Sequence, residues 1–397
     1  MGKSLRVRGA RTMFAVAAAV AVMGSAAVEP ATAAYQYTPV ASSAGALGTQ
    51  FGDHALGNNG YVAFNNLRDD GQYAVYRWNG TSLQTVAETG PALPGWTSFV
   101  GTVGINGSSQ VSFYGLRVAS PTEIYGGIYR GEPAGSVTNI SEVSTDQSTT
   151  AYILGTDVNA GGTVAYQRRV VGTSRGIYTS NGTSEQTIYI GTDADSIGFW
   201  SINSSGQVAI SGTIGGVTGV WRGTGDGTLT PIATSNFTQV RTPIIDDAGG
   251  VTFTGTLTNG TNGVYRGDGG TLETLADTSA GSPFDFGFAR SSANNDGDTA
   301  FLARPTGGST GIYFLPNGAE TADAQKVIGI GDSLFGGTVQ TVLLAPRGLN
   351  DADEVAFMYR LTDDTWGIAV AAIPEPASAV SLSLLGLAAL QRRRSRR

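Results

Sequence analysis

From residue 35 onward the apolar residues come in short alternating runs, such as QVAISG, GVTFTG and GVYRG, each flanked by Gly, Asn, Asp or Ser. Alternation with period two sends successive side chains to opposite faces of a strand, and the flanking residues are those that turn a chain. No long stretch after residue 34 carries apolar residues at helical spacing. The pattern therefore predicts an all-β chain built of many short strands.

The strands repeat. Seven related stretches occur: GNNGYVAF ending at Phe64, NGSSQVSF at Phe113, NAGGTVAY at Tyr166, NSSGQVAI at Ile210, DDAGGVTF at Phe253, NNDGDTAF at Phe301 and NDADEVAF at Phe357. Their common form is N-x-x-G-x-x-A-F. The Asn or Asp side chain can accept a backbone N–H, and the Gly three residues later supplies the positive φ that closes a hairpin. In the strand that follows, the final aromatic or Ile lies on one face, and the Ala, Ser or Thr before it puts a small group on the other, where a neighbouring sheet can approach. Gly57 stands where Asn is expected, Ser109 and Asp353 stand where Gly is expected, and Asp246 replaces Asn.

Each of these strands is followed by a second element, such as AVYRWNG at 74–80, GIYRG at 127–131, GVWRG at 219–223 and GVYRG at 263–267, and in several units by a third of the type LQTVA, LTPIA or LETLA. Successive motif ends lie 49, 53, 44, 43, 48 and 56 residues apart, near the period of propeller blades and well above that of β-helix coils. The last unit, ending IAVAAIPEP, lacks its own third element, whereas Tyr37–Ala41 reads YTPVA, a near copy of LTPIA at 229–233. Pairing that strand with the last unit closes a ring and removes the exposed ends of an open array. The expectation is a seven-bladed β-propeller of about 49-residue repeats over residues 35–372, closed by an N-terminal strand. An array of β-sandwiches is the other arrangement the pattern admits.

The two ends of the chain differ in kind from the repeats. Lys3, Arg6, Arg8 and Arg11 precede the apolar run MFAVAAAVAVM and a small-residue stretch that ends at Ala34, which is the layout of a secretory signal peptide (residues 1–34) read by the Sec translocase. The apolar run is about half of the ~20 residues that a spanning helix needs. At the other end, residues 373–397 carry Pro374-Glu375-Pro376, an apolar segment from Ala377 to Leu390, and then Arg392, Arg393, Arg394, Arg396 and Arg397. This three-part ending resembles a PEP-CTERM sorting signal, and the repeats, over roughly residues 50–360, resemble the tandem NxxGxxAF repeat proteins of the choice-of-anchor kind. The sorting signal implies an exosortase-type processing enzyme, transient inner-membrane contact through the tail, and delivery to the cell surface or matrix of a Gram-negative-type bacterium that makes exopolysaccharide. The repeat family implies no established activity and no catalytic residues.

Without the two terminal segments the chain keeps 15 of its 24 basic and 29 of its 31 acidic side chains, a net charge of −14. So acidic a surface is a poor partner for a phosphate backbone, and nucleic acid is not expected. There is no cysteine, so stability has to come from buried surface. The only histidine, His54 in FGDHALG, falls in an expected loop with no nucleophile-elbow motif nearby and reads as an ordinary loop residue, not a triad member. A histidine-rich zinc site is excluded. The acidic turns Asn294–Asp298, Asn350–Glu354 and Asp193–Asp195 offer closely spaced oxygens of the kind calcium needs, but none matches an EF-hand loop and two coincide with the repeat, so they read first as turns.

Four arginines follow an aromatic residue at one position of the second element: Arg77, Arg130, Arg222 and Arg266. As a ring about a propeller axis they would be candidate ligand-facing groups for an anionic polysaccharide; Thr179, Phe314 and Val370 interrupt that ring. The blander reading pairs each with an acidic neighbour or lays its stem along a blade edge. The sequence thus predicts an exported, non-enzymatic binding or scaffolding propeller associated with exopolysaccharide or biofilm, with no catalytic, cofactor or metal residues assigned. A carbohydrate-active hydrolase or lyase on the same scaffold is the alternative, and convergence of two carboxylates from different blades in one cleft would favour it.

Overall fold

Alternating strands with a buried face on both sides must stack sheet on sheet, and here they do so in a circle. The computed structural model describes residues 35–45, 47–90, 95–120, 123–144 and 151–372; the expected signal peptide and the sorting motif at Pro374, Glu375 and Pro376 lie outside them. Seven antiparallel sheets follow one another along the chain, spanning 50–88, 96–144, 151–192, 196–233, 237–277 and 284–329, with the seventh made of 333–372 and 36–42. Six of them have four sequential strands; the seventh joins three C-terminal strands to Gln36–Ser42 and adds the two-residue edge Ser333–Leu334. The first strand of every sheet lies against the first strand of the next, and Gly337–Leu349 of the seventh lies against Gln50–Leu56 of the first. The chain is a seven-bladed β-propeller.

Closure comes from the predicted strand. Gln36–Ser42 pairs antiparallel with Trp366–Ala372, from Gln36 opposite Ala372 to Ser42 opposite Gly367, and Tyr37 Oη donates to the Val327 carbonyl of the sixth blade at 2.6 Å. The last blade thus combines both ends of the propeller chain, so opening the ring requires breaking a full strand ladder.

The repeat accounts for the core. All seven motif-final residues, Phe64, Phe113, Tyr166, Ile210, Phe253, Phe301 and Phe357, are buried. Each packs toward the preceding blade: Phe113 clusters with Ala63 and Val75, Phe253 with Ala209 and Val220, and Phe357 with Ala300 and Ile312. The small residue on the opposite face is what lets the next blade come close, as the alternation predicts. The core is therefore seven wedges between sheets, each closed by a large side chain against an alanine-sized one.

The hairpin turns are alike to a finer degree. The fourth motif position has positive φ in every blade, at Gly60, Ser109, Gly162, Gly206, Gly249, Gly297 and Asp353; two L side chains have been accepted where glycine is the unstrained choice. The first-position side chain accepts the amide four residues on, as in Gln110 N to Asn106 Oδ1 (3.0 Å) and Thr163 N to Asn159 Oδ1 (2.9 Å). Its Nδ2 has a second task. Asn106 donates to the Asn159 carbonyl (2.9 Å), Asn159 to Asn203 (3.0 Å), Asn203 to Asp246 (3.0 Å), Asn294 to Asn350 (3.3 Å) and Asn350 to Gly57 (3.3 Å). These bonds link each turn to the next around one end of the ring. The ladder lapses at Gly57, which has no side chain, and at Asp246, whose carboxylate cannot donate.

Candidate functional site

The four arginines singled out by the sequence lie on the third strands, away from the axial cavity described below. Arg77 Nη1 donates to the Ser109 carbonyl at 2.6 Å and its Nη2 to Gln84 Oε1 at 2.8 Å. Arg130 reaches the Gly162 carbonyl and pairs with Glu132 at 2.7 Å, and Arg222 Nη1 donates to the Gly249 carbonyl at 2.5 Å. Ser109, Gly162 and Gly249 are the positive-φ residues of the next blade's turn. Arg266 instead pairs with Asp246 at 2.7 Å and reaches Asn317. Arg77, Arg130 and Arg222 thus reach from one blade to the next blade's turn, and only Arg130 and Arg266 also pair with a carboxylate.

The acidic turns are also occupied locally. Asp193 binds Arg169 and the Gly172 amide, and Asp195 takes the Tyr189 hydroxyl with the Thr192 and Gly215 amides. Asn294 Nδ2 bonds both Asp298 and Asp353, and burial together with Asp298 raises the Asp353 carboxyl to about 6. Among the described residues no group of three or more His, Asp or Glu side chains is arranged to hold a metal ion.

What the repeat does not explain is the innermost strand just before each turn. The ladder between first and second strands slips in every blade, between Phe51 and His54, Phe99 and Val103, Leu154 and Asp157, Ile197 and Phe199, Arg241 and Ile244, Gly287 and Ser291, and Leu344 and Leu349. Such slips re-aim side chains. Here they surround an axial cavity of about 270 Å³ lined by Asp53, His54, Thr102, Thr156, Asp157, Gln167, Phe199, Trp200, Thr242 and Arg347, among others. It continues into a wider depression of about 450 Å³ that adds Arg290, Leu343 and Trp366.

Arg347 forms the floor. It reaches from the seventh blade to Asp157 of the third, with Nε 3.1 Å from Oδ2, and donates through Nη2 to the Ile202 carbonyl of the fourth at 2.9 Å. The same side chain lines a smaller pocket of about 110 Å³ among the hairpin turns. Asp157 Oδ2 also accepts the Ile202 amide at 2.9 Å. Nearer the mouth, Asp53 lies 3.7 Å from Arg290; burial pushes its carboxyl above the usual carboxylate range, against the pull of that guanidinium.

His54 was expected in a loop; it is instead in the first strand of the first blade and buried. The reason is that FGDHAL continues as an inner strand, which sets His54 at the axial cavity and away from the outer surface. Its Nε2 is 3.3 Å from the Ala356 carbonyl, which fixes the proton on Nε2 and leaves Nδ1 as a bare acceptor. Burial drives the imidazole from its ordinary 6.5 to about 4. Trp200 and Phe199, both half-buried, supply aromatic surface; Trp200 Nε1 donates to the Ala165 carbonyl at 3.2 Å and its ring lies over Gly155, where a Cβ would come within 2.5 Å of it.

Sequence reasoning missed this constellation because it looked for residues that recur. The signal lay in the opposite direction. In the three positions ending one residue before the apolar pre-turn residue, the blades read DHA, TVG, GTD, FWS, TPI, RSS and PRG, whereas the pre-turn residue itself is apolar throughout.

A seven-bladed propeller with a polar and aromatic axial cavity defines the class to which this chain belongs. A family of unknown function, DUF7453, is matched over residues 202–315. No curated protein matches. Among solved structures the chain is similar to the BP39L lectin from Burkholderia pseudomallei, at 11% identity over 82% of this chain and 99% of the lectin, with a TM-score of 0.50. It is similar to prolyl oligopeptidase B from Galerina marginata at 9% identity over 79% of this chain and 47% of that one (TM-score 0.51), and to puromycin hydrolase at 14% over 78% and 58% (TM-score 0.39). The chain spans about half the length of these two enzymes. At such identities the likeness is one of fold alone.

Proposed function

We propose that the protein is an exported propeller that binds carbohydrate at the surface or in the matrix of a Gram-negative-type bacterium and holds exopolysaccharide without cleaving it. The observation that carries this reading is the axial cavity, in which half-buried Trp200 and Phe199 stand among hydrogen-bonding groups from several blades. Aromatic faces flanked by fixed polar groups suit sugar rings, which are apolar on their faces and polar at their edges. The signal-peptide pattern of residues 1–34 and the PEP-CTERM-like residues 373–397 support export by the Sec translocase and processing by an exosortase. The lectin of similar fold is consistent with binding but lends only its architecture. Incubating the purified protein with the producer's exopolysaccharide, and following both retention and release of shorter sugars, tests the reading: retention without fragments is expected.

One observation favours the hydrolase alternative. Asp53 and Asp157, from different blades, both line the cavity, one carboxyl raised by burial and the other paired with Arg347. Split environments of this kind are used by paired catalytic carboxylates. Against it, Asp157 Oδ2 is already taken by Arg347 and the Ile202 amide, which leaves it little capacity to attack or to activate water. Time-dependent release of oligosaccharides, abolished in Asp53→Asn, would overturn the binding reading.

A further inference from the structure

Two residues that line the axial cavity each leave one buried polar atom without a hydrogen-bond partner, His54 Nδ1 and Thr156 Oγ1. Both residues are more than nine-tenths buried, at 3% and 6% exposure. A buried polar atom left unpaired destabilises the fold, and each one calls for an explanation, of which a ligand contact is one. The two atoms also have defined chemistry. With its proton directed to the Ala356 carbonyl, His54 offers a lone pair to an O–H or N–H donor, whereas the threonine hydroxyl can donate or accept.

The charges in the cavity cancel. Asp157 is paired with Arg347 and Arg290 lies 3.7 Å from Asp53, so each of these guanidinium groups already has a carboxylate beside it, and the acidic chain as a whole disfavours anions. The cavity's size sets a further bound: about 270 Å³ is just below the ~300–1,000 Å³ of small-molecule sites, which fits one ring and not an internal stretch of polymer.

Resting on the binding function proposed above, we infer that the axial cavity takes a single uncharged sugar residue, the end of a polysaccharide chain, with its ring against Trp200 and its hydroxyls on His54 Nδ1 and Thr156 Oγ1. The polymer then leaves through the wider depression past Arg290 and Trp366. The end of a chain, and not its middle, is what such a protein holds.

Titration calorimetry of the purified protein with glucose, galactose and mannose, and with glucuronate and galacturonate, tests this. At least one neutral hexose should bind with a dissociation constant in the millimolar range, with affinity reduced about tenfold in Thr156→Val, a near-isosteric change, and lost in Trp200→Ala. Circular dichroism melts of both variants separate loss of binding from loss of fold. Binding of no neutral hexose, tighter binding of the uronates, or unchanged affinity in folded Thr156→Val would each overturn the inference. Retention of the polymer on the same protein is scored separately: polymer retained with no hexose bound sinks the end-residue site and leaves the binding function standing, whereas hexose bound with no polymer retained sinks the proposed function alone.

Discussion

The hairpin turns and the residues immediately before them are neighbours in sequence, yet they obey opposite rules. The turns are nearly the same seven times over: positive φ at one position, an acceptor at another, an aromatic or Ile buried against the previous blade. The inner-strand triplets before them differ in every blade, and six of the seven supply side chains as unlike as His54, Thr102, Thr156, Trp200, Pro243 and Arg347 to one cavity. A repeat is what ring closure needs, because every interface must present the same wedge. A binding site at the axis needs the reverse, because seven identical groups would offer only one kind of contact.

Substitutions in the two regions should therefore separate stability from binding. The largest loss is expected for Phe301→Ala, which empties a fully buried position: about 3–5 kcal/mol by chemical denaturation, with no specific effect on sugar affinity in whatever protein remains folded. Arg347→Ala belongs to both regions at once. It strands the Asp157 carboxylate, and the expected cost is about 3 kcal/mol, most of it recovered in the Arg347→Ala, Asp157→Ala pair if the stranded charge is the cause. A smaller effect, about 1–2 kcal/mol, is expected for Asn159→Asp. That change keeps the turn acceptor for the Thr163 amide but removes the donor to the Asn203 carbonyl; unchanged melting would mean that the inter-blade ladder contributes nothing. At the small end, Ser109→Gly should stabilise the protein by about 0.5–1 kcal/mol, since Ser109 sits at φ 63° where glycine is unstrained.

The pH dependence sharpens the same contrast. His54, in the triplet region, is depressed from 6.5 to about 4, so the unfolded chain takes up its proton first. Stability from this group is complete above pH 6.5 and drains away as the pH falls toward 4, by up to about 3 kcal/mol. Asp353, in a turn, is raised from 3.8 to about 6; its contribution is complete below 3.8 and lost as the pH rises through 6. Denaturation midpoints between pH 4 and 7 should therefore rise less steeply with pH in His54→Gln than in the parent, and more steeply in Asp353→Asn.

The architecture was legible in the chain because it is periodic. Asn, Gly and Phe at fixed offsets gave the turns and wedges, and YTPVA placed the closing strand. The cavity residues do not recur and so gave no such signal. The recurring Arg77, Arg130 and Arg222 reach the next blade's turn. The Nδ2 bonds of the asparagine ladder were hidden because the turn alone already explains an Asn there. His54 was misplaced in a loop because Gly52 and Gly57 flank it, although the strand runs through Gly52. The Arg347 to Asp157 pair joins residues 190 positions apart, a proximity that only ring closure creates.

The measurement that tests the account most directly is retention on exopolysaccharide of two variants side by side, Trp200→Ala from the triplets and Asn159→Asp from the turns, each with its melting temperature. The account predicts that Trp200→Ala loses the polymer while remaining folded, and that Asn159→Asp melts lower while holding the polymer. Full retention by folded Trp200→Ala would contradict it and move the binding surface away from the axis.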